Sequence, residues 1–230
     1  MFFDSLIAYI LLIAFLGFSG FFTWFYGSDI FLTKQASLQT FFQIAYWTLF
    51  FFIPALTMRS LAEENKTGTI ELLLTKPVTS FQVILGKYLA CFFLICIALL
   101  CTLPYFISVL NLSNGKLDIG VVLCGYLGLL IMSKAYISIG IFASSITNNQ
   151  VVAFLIALFI GIFFHFIFGL LGSGLAGTPG EIINYLSMAN HFDSISRGLI
   201  DSRDVIYFVS IIFLGLILAE ASLTKRNISE

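Results

Sequence analysis

The chain has 230 residues, of which 60% are hydrophobic and only 10% charged, with a mean hydropathy of +1.04. A soluble domain carries about a quarter charged residues, so this composition excludes an ordinary water-soluble fold and points to an all-α polytopic membrane protein embedded in a lipid bilayer. A net charge of −1 and a pI near 6.1 leave no basic face for nucleic acid, and no nucleic-acid partner is expected.

A bilayer span needs about 20 mostly apolar residues. Six runs qualify: 6–26, 41–58, 81–110, 119–143, 151–171 and 205–222. The first follows MFFDSLIAYI, which has neither a basic start nor a small-residue cleavage site, and reads as a retained span rather than a signal peptide. Pro54 lies near the end of the second. The third is longer than a bilayer requires, and Pro104 removes a backbone donor within it, so a kink or an end is expected there. Cys91, Cys96 and Cys101 lie in the third run and Cys124 in the fourth, without metal-ligand spacing, so thiols packed between helices are expected and no metal site. Residues 144–150, SSITNNQ, form a tight turn. The long loop 172–204 opens with GSGLAGTPG. Ile182, Ile183, Leu186, Phe192, Ile195 and Leu199 then recur at near-helical intervals, which predicts interfacial or re-entrant helices before the sixth span, or a helix capping the bundle. No internal repeat is apparent, and 1–230 reads as one transmembrane domain.

Lys/Arg bias orients the spans. Arg59, Lys66, Lys76, Lys87, Lys225 and Arg226 fall on one side, against Lys34, Lys116, Arg197 and Arg203 on the other. Both termini and the 59–80 segment are therefore expected in the cytoplasm.

That segment contains Glu63, Glu64, Lys66, Glu71 and Lys76. Arg59 and Glu63 are four apart on a helix continuing from span two, and Glu63 and Lys66 three apart, spacings that allow weak pairing. Gly68 is placed to break or cap that helix. Thr69 is a candidate N-cap for a second, short helix with Glu71 in its first turn. Ile70, Leu73, Leu74 and Pro77 give it one apolar face, and Lys76-Pro77 stops it. Thr79 and Gln82 form a capping box that starts span three. A short amphipathic helix held between two spans suits force transmission from a cytoplasmic partner; the residues equally allow a helix that simply lies on lipid.

The stretch MRSLAEENKTGTIELLLTKPVTSFQVILGKYLA, residues 58–90, strongly resembles the signature of type-2 ABC transporter permeases. FFDSLIAYI, IGIFASSITNNQVVAF and SISRGLIDSRDVIYF extend the likeness along the chain, closest to the permease subunits of gliding-motility ABC transporters. Members of that family usually begin with a basic interfacial helix and commonly have proline where Leu6 stands. The resemblance implies a bacterial inner-membrane permease in which residues 62–80 include a cytoplasmic coupling helix, docked on a separate ABC ATPase subunit. It implies that Glu63, Glu64, Gly68, Thr69, Glu71, Leu72 and Leu73 carry the ATPase-coupling motif. It also implies a second permease or an accessory membrane subunit as partner, in a homo- or heterodimer.

No GxxxxGK[ST] phosphate loop occurs. No cofactor and no catalytic residue are expected in this chain; ATP and magnesium would sit on the partner. Lys87 at the start of span three is expected to snorkel to the surface. His191, Asp193, Ser194 and Ser196 cluster in sequence without a nucleophile elbow, and a capping or loop role is expected.

Two polar groups lie inside spans. Lys134 is too deep to snorkel and should face a partner or a water-filled cavity, with Glu220 a candidate partner. His165 is expected to make an interhelical hydrogen bond. Two readings from other classes compete with the permease: a secondary transporter or channel working without ATP, and a structural anchor of a motility or secretion machine. The first would need broken spans with paired intramembrane charges.

Overall fold

A computed structural model describes residues 6–25, 37–69, 78–113, 117–175 and 177–229, and every regular element among them is helical. In chain order they are α1 (Leu6–Trp24), α2 (Gln39–Thr57), α3 (Ala62–Thr67), α4 (Ser80–Leu100), α5 (Leu103–Leu112), α6 (Ile119–Ile146), α7 (Gln150–Ile162), one π-helical turn (Phe163–Ile167), α8 (Phe168–Gly174), α9 (Thr178–Tyr185), α10 (Met188–Ser196) and α11 (Ser202–Ser229). Five of the helical stretches are long and apolar enough to cross a membrane, and the first, Tyr9–Trp24, is shorter. The protein is an all-α, multi-pass membrane protein.

Local signals explain the breaks. The third span divides at Cys101 and Thr102, and Pro104 sits in the first turn of α5, where its missing N–H costs no helical bond. α4 starts with the capping box: Thr79 Oγ1 accepts from the Gln82 amide at 3.3 Å, and Gln82 Oε1 accepts from the Thr79 amide at 3.0 Å. Asp118 and Asn149 cap α6 and α7 through their side-chain oxygens. The fifth span holds a π turn, with no proline or glycine inside it, closed by Phe168 N–H bonding to Phe163 O.

α6 is the central post. It is buried along most of its second half and packs against α2, α4, α7, α10 and α11. Close approach of α2 depends on glycine. A Cβ added at Gly140 would lie 2.0 Å from Thr57 Oγ1, and one at Gly125 would lie 2.5 Å from the Phe42 ring. Lipid supplies no hydrophobic drive between helices, so such backbone proximity carries much of the association.

The two ends of the bundle differ. One, the charged end, gathers residues 58–69, the start of α4, the α6–α7 turn and the last turns of α11. The other is closed by α9 and α10. The loop hydrophobics divide between two environments there: Phe192 and Ile195 are buried, whereas Ile182 and Leu199 are each 67% exposed. Thus α10 dips into the bundle and α9 presents an apolar face outward. The thiols also divide, with Cys91 buried and Cys101 exposed.

Replacing Gly140 with alanine should cost about 1–3 kcal/mol through overpacking, read as a lower Tm in detergent. Gly86→Ala is the control. Its methyl meets nothing within 4 Å, so Tm should hold or rise.

Candidate coupling site

The helix leaving span two does not continue unbroken. Residues 58–61 are turns, and the helix restarts as α3 at Ala62. The expected Arg59–Glu63 pairing is therefore replaced: the Arg59 guanidinium Nε donates to Gln150 Oε1 at 2.9 Å, at the start of α7.

A restarted helix exposes unpaired amides at its first turn. Leu61 at the α3 N-cap has no side-chain oxygen to offer them. Ser144, from the far end of α6, supplies it. Its Oγ accepts from Leu61 N–H at 3.0 Å and from Ala62 N–H at 2.9 Å, and donates to Met58 O at 3.1 Å. A hydroxyl has one donor and two acceptor sites, so all three are used. The favour is returned by Asn65, buried on α3. Its amide Nδ2 donates to Ser145 O and Thr147 O, both at 3.4 Å, where α6 runs out of partners for its own carbonyls. Each helix end completes the other.

The third clamp comes from α4. Lys87 Nζ lies 2.5 Å from Glu64 Oε1 and also donates to Ser60 O. Both side chains are largely shielded, at 15% and 27% exposure. Snorkelling to the surface, the expectation for Lys87, does not anticipate this pairing. Glu64 Oε2 is buried and lacks a hydrogen-bond partner among the described residues, so loss of Lys87 would strand the whole carboxylate.

Gly68 ends α3 with φ +70°, the left-handed cap that only glycine adopts without strain. Thr69 Oγ1 lies 2.9 Å from Thr67 Oγ1. Glu63, Lys66, Thr67, Gly68 and Thr69 are exposed. Glu71, Leu72, Leu73 and the helix expected around them lie outside the described residues. The result is a plate clamped from below to α4, α6 and α7, with its other face open to solvent.

The intramembrane groups sit elsewhere. His165, on the π turn, bonds through Nδ1 to the Tyr136 hydroxyl at 2.7 Å, the expected interhelical bond. Tyr46 stacks on it at 4.0 Å, with Trp47 and Phe50 at 4.6 and 4.5 Å, and Tyr46 also stacks on Phe192 of α10 at 4.7 Å. His165 therefore links spans two, four and five to the helix that closes the opposite end.

Lys134 does not meet Glu220. Its ammonium lies 4.6 Å from the Phe92 ring centroid, and no ion pair to it is present among the described residues. A lysine at mid-membrane costs roughly 2.5–3.5 kcal/mol, and a cation–π contact returns about 0.5–2 kcal/mol. The site is only partly compensated.

His191 is structural. Its Nε2 donates to Tyr185 O at 2.7 Å, its Nδ1 lies 2.6 Å from Asp204 Oδ1, and its ring stacks on Tyr207 at 4.0 Å. It ties α9 and α10 to the start of α11. Asp193 faces a groove beside Tyr46 and Trp47; partial burial holds its carboxyl above the usual range, with Arg197 opposing.

Sequence reasoning placed Glu64 and Gly68 in the segment but missed Ser144, Asn65, Lys87 and Gln150 as its mounts. The signal available was SSITNNQ, a polar run that follows a buried span directly. Ser144→Ala should leave two shielded amides unpaired and cost about 1–3 kcal/mol, with faster proteolysis of 58–69. Ser145→Ala, whose hydroxyl bonds only Phe142 O within its own helix, should change neither.

No curated protein matches the chain significantly. The family model described as ABC-2 family transporter protein matches residues 19–222, which include every mount of the plate and both intramembrane groups. The chain belongs to this family and is a membrane-spanning permease subunit of an ABC transporter, working with a separate ABC ATPase.

Proposed function

We propose that residues 62–80 receive the stroke of the partner ATPase and that the clamped plate passes it to the spans. The observation that carries this is the three-sided mounting of residues 58–65. Ser144 and Asn65 fasten it to α6, Lys87 to α4 and Gln150 to α7. Force applied to the open face cannot be absorbed by a hinge at Met58 without breaking these bonds. It is delivered to spans three, four and five together. The hydrogen bond from Tyr136 on α6 to His165 then couples that motion to α2 and α10.

In this reading the plate lies in the cytoplasm of a bacterium, both termini flank it, and the spans sit in the inner membrane. The permease works beside a second membrane subunit in export or assembly, with gliding motility the process its sequence most resembles. The secondary-transporter reading loses ground on particulars. Broken spans are present, but Lys134 rests on a ring and His165 on a tyrosine hydroxyl rather than on opposite charges.

Docking and transmission separate experimentally. Glu71→Arg should abolish co-purification of the ATPase in mild detergent without lowering Tm. Lys87→Met should retain the ATPase but lose the coupling between ATP hydrolysis and transport. ATPase recovery that is equal in wild type and Glu71→Arg would overturn the docking assignment. Full coupling in Lys87→Met would overturn the transmission route.

A further inference from the structure

Lys134 stands near the middle of α6, 15 residues from Ile119 and 12 from Ile146. At 1.5 Å per residue those distances are roughly 22 Å and 18 Å, beyond the reach of a lysine stem. Its side chain is partly exposed at the edge of the bundle. Leu123 and Leu127 share its stripe on α6 and are 58% and 46% exposed, while Phe93 on α4 is 59% exposed. An ammonium therefore opens onto a lateral face that is otherwise apolar.

No carboxylate among the described residues pairs with it. Glu220 is the one carboxylate within the described part of span six below Asp204. Gly198, just ahead of α11, packs against Val121 and Gly215 packs against Ser138, so α6 and α11 run in the same direction and Glu220 lies level with Ala143. That is nine residues, or roughly 13 Å, from the depth of Lys134. A two-fold axis along the membrane normal preserves depth, so a second copy of this chain would present its Glu220 at the same wrong level. The Phe92 face holds the ammonium in place without discharging it.

We propose that the α4/α6 face around Lys134 docks a transmembrane helix of a different membrane subunit, one carrying an aspartate or glutamate at mid-membrane depth. Charge complementarity sets the register, and Leu123, Leu127 and Phe93 supply the apolar contact around it. This rests on the family assignment and not on the coupling plate.

The test places a benzoylphenylalanine photo-crosslinker at Phe93 in the full chain, irradiated in native membranes. The expected adduct is to another membrane-spanning chain whose linked segment contains an acidic residue. Lys134→Met, which keeps the stem against Phe92, and Lys134→Asp should each reduce that adduct by roughly tenfold or more. Lys134→Arg should keep it, and lysine at the partner's acidic position should restore it in Lys134→Asp. ATPase co-purification and Tm should be unchanged in Lys134→Met, which separates this face from the plate. An adduct unchanged in Lys134→Met, adducts only to lipid or to a second copy, or no rescue by the charge swap would overturn the proposal.

Discussion

The Ser144 hydroxyl is the contact on which the charged end depends. It is placed by α6, the central helix, and it completes a helix from a different part of the chain. A turn break after α2 creates unsatisfied amides, and burial of those amides is tolerable only because a fixed oxygen meets them. The same bond that makes the break affordable also makes it rigid. Asn65, Lys87 and Gln150 add three further anchors on three helices, so residues 58–65 behave as part of the bundle rather than as a loop hung from it.

In the proposed coupling, that rigidity is what lets a permease respond to its partner. The family assignment supplies the need for a separate ATPase. The proposed route uses an open polar face, three mounts, and then an aromatic assembly around His165 that joins four elements. The π turn beneath His165 leaves the fifth span with a wider, less regular hydrogen-bond ladder at that level. Such turns recur at functional sites in helices, and here it lies where the proposed route from the plate reaches α10.

Much of this was legible in the residues. Apolar runs gave the spans, Pro104 gave the break in the third, Thr79 and Gln82 gave the start of α4, and Gly68 gave the end of α3. Each is a local rule acting over a few positions. What stayed hidden involves partners distant in the chain. Ser144 and Leu61 are 83 residues apart, Lys87 and Glu64 are 23, and His191 and Asp204 are 13. Periodicity reports that a residue is buried, not what it meets. The Arg59–Glu63 pairing, drawn from spacing, and Glu220 as a candidate partner for Lys134 both failed for that reason. The first assumed an unbroken helix, and Glu220 sits too close to the charged end to meet Lys134.

Hydrogen exchange on the full-length protein in nanodiscs tests the central claim most directly. The Leu61 and Ala62 amides should exchange as slowly as the buried amides of α6 around Ser138, because opening them requires undocking Ser144. Exchange at the rate of an unprotected loop, with α6 still protected, would mean that the plate is not part of the bundle and could not transmit a stroke to it.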